Sequence, residues 1–121
     1  MNVGQMLAHC NVPYAYTFEP EKFSKPNFLK KFLLQKIVKK YVLSPEPYKK
    51  NGRTAPEFII TDVRNFDAEK EKLIRNILET QKLGEQHFEG LENMSFGRMS
   101  ASEWNTMFYK HLNHHLSQFG V

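Results

Sequence analysis

The sequence predicts an all-α fold, most simply a bundle of up to four helices. Apolar residues recur at intervals of three and four along four segments, which is the spacing of one face of an α-helix. Capping-box motifs precede two of these segments. With 121 residues, of which 40% are hydrophobic and 13% aromatic, the chain suits one domain with a modest core, so residues 1–121 are expected to form a single helical domain.

The first helix is predicted from its capping box. Asn2 and Gln5 have the spacing of that motif, so the helix should begin at Val3 and end near Ala15. Pro13 is expected to kink or shorten the end, because proline lacks the N–H that an interior helical position donates.

The second helix is expected to be amphipathic and basic. Pro26 suits its first turn, and its pattern reaches about Val42. Its apolar positions are Phe28, Leu29, Phe32, Leu33, Ile37 and Tyr41. Its lysines are Lys30, Lys31, Lys36, Lys39 and Lys40. The simplest arrangement packs the apolar side on the bundle and leaves the lysines in water.

Charge is distributed unevenly along the chain. Residues 22–53 contain ten Lys or Arg and one acid, Glu46, so their net charge is +9. The other residues together have a net charge of −5, which gives +4 for the whole chain. A Lys-rich amphipathic helix can also lie on anionic lipid or nucleic acid. Because the segment lacks interleaved Arg and aromatic residues and Gly-rich loops, we expect neither nucleic acid nor membrane as a partner.

A long connection follows. Residues 44–66 are predicted to form an ordered loop, with a short extended piece at 58–60, and residues 22–66 as a whole connect bundle helices. The loop is marked by turn-forming residues: Pro45, Pro47, Asn51-Gly52 and Pro56.

Two further helices complete the prediction. The third should be capped by Asp67 and end near His87, with Gly84 weakening its last turn. Its expected buried residues are Leu73, Ile74, Ile77 and Leu78. After a loop over 90–99, a capping box at 100–103 should start a fourth helix that ends near Gln118, before Gly120.

The most informative pair of residues lies in this last helix. His111 and His115 are four residues apart, which stacks the two imidazoles on one helix face. They share that face with Trp104, Phe108 and Phe119, so the face should point toward a core. Two imidazoles on an inward face form half of a metal site. The best third ligand is a histidine in the first helix, His9.

Ordinary explanations compete with this prediction. Surface histidines reach helical spacing by chance, and His114, rotated by about 100° from His115, shows that the segment is His-rich. His9 alone would be an unremarkable core residue. Gln118 lies one turn beyond His115, where it could orient an imidazole or a bound water.

Two other residues have two interpretations each. Tyr109 is a core residue or reaches the mouth of a site, and Arg98 packs a loop or binds an anionic substrate. The single cysteine, Cys10, is best interpreted as a buried thiol, and it excludes an intrachain disulfide. The chain shows neither a signal peptide nor an apolar run of the roughly 18 residues that span a bilayer, so we expect a cytoplasmic protein.

Several runs of sequence carry a family resemblance. The run His111-Leu-Asn-His114-His115-Leu-Ser-Gln118 resembles the last helix of the DinB-like metalloprotein superfamily, which carries His-x-x-His-His-x-x-Gln, and Met6-Leu-Ala-His9 resembles the helix with its first ligand. Further runs resemble a bacterial branch of that superfamily without an assigned function: Gln5-Met-Leu-Ala-His-Cys-Asn11, Lys25-Pro-Asn-Phe28, Pro47-Tyr-Lys-Lys-Asn51 and Glu103-Trp-Asn-Thr-Met-Phe-Tyr-Lys-His111.

The resemblance implies a four-helix bundle that holds zinc, nickel or iron through His9, His111 and His115, with His114 outside the set of ligands. Relatives include thiol-dependent S-transferases and maleylpyruvate isomerases. Two departures stand out. Leu116-Ser117 stands where relatives often have Arg-Gly. The family's first helix, which normally precedes the one with His9, is expected to be missing from this sequence: either the start is assigned too late, or the basic helix or a second subunit covers the groove. An exposed groove should drive formation of a homodimer or leave the domain weakly stable.

The sequence is compatible with two functions. The first is a metal-dependent enzyme, such as a thiol S-transferase or hydrolase, in which the three histidines activate water or a small thiol on a small-molecule substrate. The second is a non-catalytic helical binding module with a structural or vestigial metal site and a basic face for a partner. Reversing the charge of lysines in the second helix would separate them, since only the second function depends on that face.

Overall fold

The computed structural model describes residues 1–49 and 55–121, and it confirms the all-α class. The described residues form four helices. These are α1 (Val3–Phe18), α2 (28–43), α3 (Phe66–Phe88) and α4 (Ala101–Gln118). α2 is α-helical over Phe28–Leu33 and Lys39–Leu43 and π-helical over Leu34–Val38 between them. The turn predicted at Asn51-Gly52 lies outside the described residues.

α1 starts as predicted and ends later. The capping box of Asn2 and Gln5 is present in both directions. The helix continues through Pro13 to Phe18, so the predicted end near Ala15 is wrong. Proline removes one backbone hydrogen bond without preventing helical geometry, and the Thr17 hydroxyl donates to the Pro13 carbonyl oxygen at 2.8 Å.

α2 differs most from expectation. It begins after Asn27, whose side chain accepts from the Lys30 amide at 2.8 Å, so Pro26 precedes the cap and is not in the first turn. No residue of α2 is buried, and the expected packing of its apolar side on the bundle is wrong. Phe28, for example, is 89% exposed.

The C-terminal end of α2 holds it to the bundle. The Lys110 ammonium on α4 donates to the carbonyl oxygens of Tyr41 at 2.8 Å and Ser44 at 3.1 Å. It also lies 4.3 Å from the centre of the Tyr48 ring, which adds a cation–π contact. α2 is therefore anchored at its C-terminal end, where Val42 and Leu43 also pack against the core.

α3 is capped by Asn65, whose side chain accepts from the Ala68 amide at 2.9 Å, and not by Asp67. Of the four residues expected on its buried face, Leu73 is buried. The other three are exposed: Ile74 (48%), Ile77 (39%) and Leu78 (56%). The apolar spacing correctly predicted that these four residues share one face of α3, but α1 covers only one edge of that face. As expected, Gly84 interrupts the helix, with φ 77° and ψ 177°.

The predicted loop between α3 and α4 contains a small hairpin. Its antiparallel strands are β1 (Leu91–Asn93) and β2 (Gly97–Met99). The Asn93 side-chain oxygen accepts from the Ser95 and Phe96 amides at 2.8 and 3.0 Å, which closes the turn. Gly97 has φ 76°, a left-handed conformation that favours glycine. The loop assignment is thus wrong over these six residues.

Short 3₁₀ turns occupy two connections, Pro20–Lys22 and Pro56–Phe58. The second replaces the start of the extended piece expected at 58–60, although Ile59 itself has extended backbone angles. Proline at the first position of a short helical turn needs no N–H there, which explains why Pro56 starts one.

The core lies between α1, α3 and α4. Its buried apolar residues are Met6, Leu7, Cys10, Tyr14, Leu73, Phe88, Met99, Trp104, Met107 and Phe108. Tyr14 and Phe108 stack with ring centres 4.6 Å apart and an angle of 2° between planes, which fixes α1 against α4. Phe119, expected on this core, is 39% exposed. Among the described helices, none has both the length and the apolar character needed to cross a membrane.

Candidate metal centre

Three histidines from two helices converge at one end of the core. His9 Nε2 lies 2.8 Å from His115 Nε2 and 3.0 Å from His111 Nε2. His9 is buried, and His111 and His115 are half-buried. One ligand atom from each lies within 4.8 Å of the others, so the group could hold a metal ion.

Helix periodicity and the core produce this arrangement. The four-residue spacing places His111 and His115 one turn apart on α4, with ring centres 4.8 Å apart. The stack of Tyr14 on Phe108 fixes the distance between α1 and α4 less than one turn from His111. His9 on α1 is then held opposite the pair.

The outer nitrogens of two imidazoles contact acceptor oxygens. His9 Nδ1 lies 2.8 Å from the Phe58 carbonyl oxygen, and His115 Nδ1 lies 3.1 Å from the Gln118 side-chain oxygen. An acceptor oxygen requires the proton on Nδ1, which leaves the lone pair on Nε2. The two Nε2 lone pairs therefore face each other at 2.8 Å, an arrangement that a cation between them stabilises.

The environment keeps these imidazoles neutral. Burial lowers the pKa of His9 although the Phe58 carbonyl opposes the shift, and burial together with His9 lowers the pKa of His115 to about 4. The pKa of His111 lies well below its ordinary value, first through desolvation and then through the neighbouring histidines. Neutral imidazole is the form that binds a metal, so the site favours a metal ion over a proton.

Two of the three nitrogen pairs fit a small tetrahedral cation with a minor adjustment. At metal–nitrogen distances of about 2.0–2.1 Å, two ligands in a tetrahedron stand about 3.3 Å apart. The pairs at 2.8 and 3.0 Å need to open by a few tenths of an ångström, which side-chain rotation supplies. Among the described residues, no carboxylate hydrogen-bonds to the three imidazoles, so the ligand set is neutral.

Aromatic side chains from the loops cover part of the site. The edge of Phe58 packs against His9 and His111, with ring centres 5.6 and 6.4 Å apart. Tyr48 contacts His114 edge-on at 5.4 Å, and burial raises the Tyr48 pKa to about 12. The sequence analysis did not identify Phe58, because a carbonyl acceptor has no side-chain signature.

The other candidate residues have different positions. The Gln118 amide bridges His115 and His114, with Nε2 3.3 Å from His114 Nε2, and His114 lies outside the converging three. Arg98 is exposed on β2, and its guanidinium donates to the Gly90 carbonyl oxygen at 3.2 Å. Tyr109 is 67% exposed and lines a groove between α3 and α4. Of these four candidates, Gln118 alone hydrogen-bonds to one of the three converging imidazoles.

The lowered pKa values predict a pH-dependent stability for metal-free protein. The unfolded chain takes up protons near pH 6.5, whereas the folded histidines remain neutral to lower pH. The free energy of unfolding should therefore be greatest above about pH 6.5 and fall as the pH approaches 4. Urea titrations with a chelator present measure this. The His9/His111/His115 triple alanine variant should show a shallower dependence, and equal slopes would contradict the prediction.

Comparison with known proteins identifies a family to which the sequence is similar. A family model described as "Protein of unknown function (DUF1569)" matches residues 1–120. No curated protein and no solved structure matches the chain.

Proposed function

The chain belongs to the DUF1569 family, and we propose that it is a metal-dependent enzyme in which His9, His111 and His115 bind a divalent cation such as zinc, nickel or iron. The observation that carries the proposal is the convergence of three Nε2 atoms, two of which have their lone pairs directed at each other by hydrogen bonds at Nδ1. The lowered pKa values of the three histidines support it, because the neutral imidazoles bind a proton weakly and are free to bind a metal.

The number and charge of the ligands favour catalysis over a structural role. Structural zinc sites have four protein ligands, whereas catalytic sites have three and keep a position for water or substrate. Because three neutral imidazoles add no negative charge, they do not offset the positive charge of a bound cation. A bound divalent metal lowers the pKa of a coordinated water or thiol and so supplies a nucleophile at neutral pH, suited to group transfer or hydrolysis.

The residues of the chain have separate roles in this proposal. The Phe58 carbonyl holds the tautomer and orientation of His9, and Gln118 does the same for His115. Phe58 also excludes water from one side, because its ring packs on two of the ligands and stacks on Tyr16 with centres 5.6 Å apart. His115 is half-buried, and its solvent-facing side is where a small substrate would approach.

The DinB-like resemblance supports the chemistry. The run 111–118 and the run 6–9 carry that superfamily's ligand pattern, and its characterised members include enzymes that use low-molecular-weight thiols. We therefore propose DinB-like membership, a small thiol as co-substrate, and a small electrophile as the molecule that accepts it.

Metal content tests the proposal first. Protein purified without a His tag should contain near-stoichiometric zinc, nickel or iron by plasma mass spectrometry. The His9/His111/His115 triple alanine variant should lose it, whereas His87→Ala, which changes an exposed histidine on α3, should retain it. Little metal in the wild type, even after cations are added back, would overturn the proposal.

A spectroscopic titration distinguishes a small thiol from water as the molecule that binds the metal. Protein reloaded with cobalt should gain thiolate-to-cobalt charge-transfer absorption when a small thiol is added. A spectrum unchanged by saturating thiol would contradict the thiol-transfer reaction and leave hydrolysis as the reaction to assay.

Replacing Gln118 by alanine should weaken zinc binding about 10- to 100-fold, because His115 loses the acceptor that fixes its tautomer. Competition with a chromophoric chelator measures the change. Gln81→Ala, an exposed glutamine of α3, is the matched control. Equal affinities in the two variants would show that Gln118 does not orient the ligand.

A further inference from the structure

α2 presents an apolar surface that its own chain does not cover. Five side chains form this α2 apolar face, and their exposed fractions lie between 44% and 89%. They are Phe28, Leu29, Phe32, Leu33 and Ile37. Apolar area left in water carries a cost of about 25 cal/mol per Å², so such a face favours a partner.

A second uncovered apolar surface lies between α3 and α4. A groove of about 340 Å³ runs between α3 and α4, which we call the α3–α4 groove. Its lining is mostly aromatic and aliphatic and includes Tyr14, Ile77, Phe88, Trp104, Phe108 and Tyr109. The exposed Ile74 and Leu78 extend this apolar area along α3. The groove has the composition and the flanking helices that an amphipathic helix requires.

The charges of the two surfaces are complementary. α2 contains five lysines and no acid. The charged residue among those lining the groove is Glu85. Two of the lysines, Lys30 and Lys39, make exposed ion pairs with Glu57 and Glu103 at 3.5 and 3.7 Å, which are weak contacts that an interface can replace.

We propose that a second copy of this chain covers both surfaces: the α2 apolar face of each copy packs into the α3–α4 groove of the other. An apolar helix and an apolar groove on one molecule form a self-complementary pair, and a two-fold axis then buries both on both copies. A lipid surface would cover the α2 apolar face alone and leave the groove in water. The dimer does not depend on the metal, so His111→Ala should still associate.

Mixed cross-linking tests the pairing of these two surfaces. Leu29→Cys on α2 and Ile77→Cys in the groove are prepared as separate proteins, and Cys10 is fully buried and stays unreactive. A short bismaleimide should link the two variants in a mixture much more than either variant with itself. No excess of the mixed product would overturn the proposal.

Sedimentation velocity over a range of concentrations measures the dissociation constant of the proposed dimer. Phe28→Ser should weaken dimerisation by about 100-fold or more, because two equivalent contacts of about tenfold each are lost. Phe28 is 89% exposed, so its loss should leave the helical circular dichroism unchanged. Val63→Ser, at another apolar residue that is 92% exposed, is the matched control.

Three results would overturn the proposal. The first is a monomer at all concentrations. The second is a dimer as strong in Phe28→Ser as in the wild type. The third is a monomer that floats with anionic phospholipid vesicles and loses this binding in Phe28→Ser, which would assign the α2 apolar face to lipid.

Discussion

Replacing His111 by alanine is expected to weaken zinc binding by roughly 100- to 1,000-fold. Structural zinc sites gain about 10–16 kcal/mol from four ligands, so one ligand contributes about 2.5–4 kcal/mol. His111 Nε2 lies 3.0 Å from His9 Nε2, and its loss leaves two imidazoles that hold a cation from one side. Calorimetric titration with zinc measures the change.

His114→Ala is the matched control for His111→Ala. His114 lies on the same helix three residues further on, and it does not belong to the converging group. Its replacement should change zinc affinity by less than the Gln118 variant, since its ring packs edge-on against His115 and its hydrogen bond goes to the Gln118 amide, so it accepts no proton from a ligand nitrogen. Comparable losses in the His111 and His114 variants would place the metal elsewhere.

Replacing Trp104 by alanine is expected to reduce the free energy of unfolding by about 3–5 kcal/mol. Trp104 is 2% exposed and packs against Phe88 and Phe108, with ring centres 5.4 and 5.8 Å away. Its indole N–H donates to the Leu91 carbonyl oxygen at 3.2 Å, so the truncation also leaves that carbonyl without its partner. Urea denaturation with a chelator present isolates this effect from metal binding.

Trp104→Phe separates packing from the hydrogen bond. Phenylalanine retains most of the ring and loses the N–H, so its cost should be about 0.5–1.5 kcal/mol from the hydrogen bond plus a small term for lost volume. A loss below 1 kcal/mol in Trp104→Ala would contradict the central place of Trp104 in the core.

Local signals allowed much of the fold to be predicted. Capping boxes at Asn2 and Ser100 fixed the starts of α1 and α4, because they depend on residues three apart in the chain. The spacing of His111 and His115 predicted their common face, and the helical pattern around His9 suggested the third partner. The structure brings these three together.

Tertiary packing explains what could not be predicted. The apolar stripe of α2 gave no indication of whether its own chain would cover it, and residues such as Ile37 and Ile77 are exposed because the described bundle has no further element over them. The hairpin at 91–99 depends on the Asn93 turn, a local signal that the loop assignment overlooked. The Phe58 carbonyl has no sequence signature at all.

The hydrogen bond from His9 to Phe58 makes the two ends of the candidate metal centre unequally tolerant of mutation. Every amino acid has a main-chain carbonyl, so a substitution at position 58 changes the aromatic cover and preserves the acceptor for His9. His115 depends instead on a side chain, and most substitutions of Gln118 remove its acceptor. Sequence variation at position 58 can therefore alter the aromatic cover of the histidines while the tautomer of His9 stays fixed.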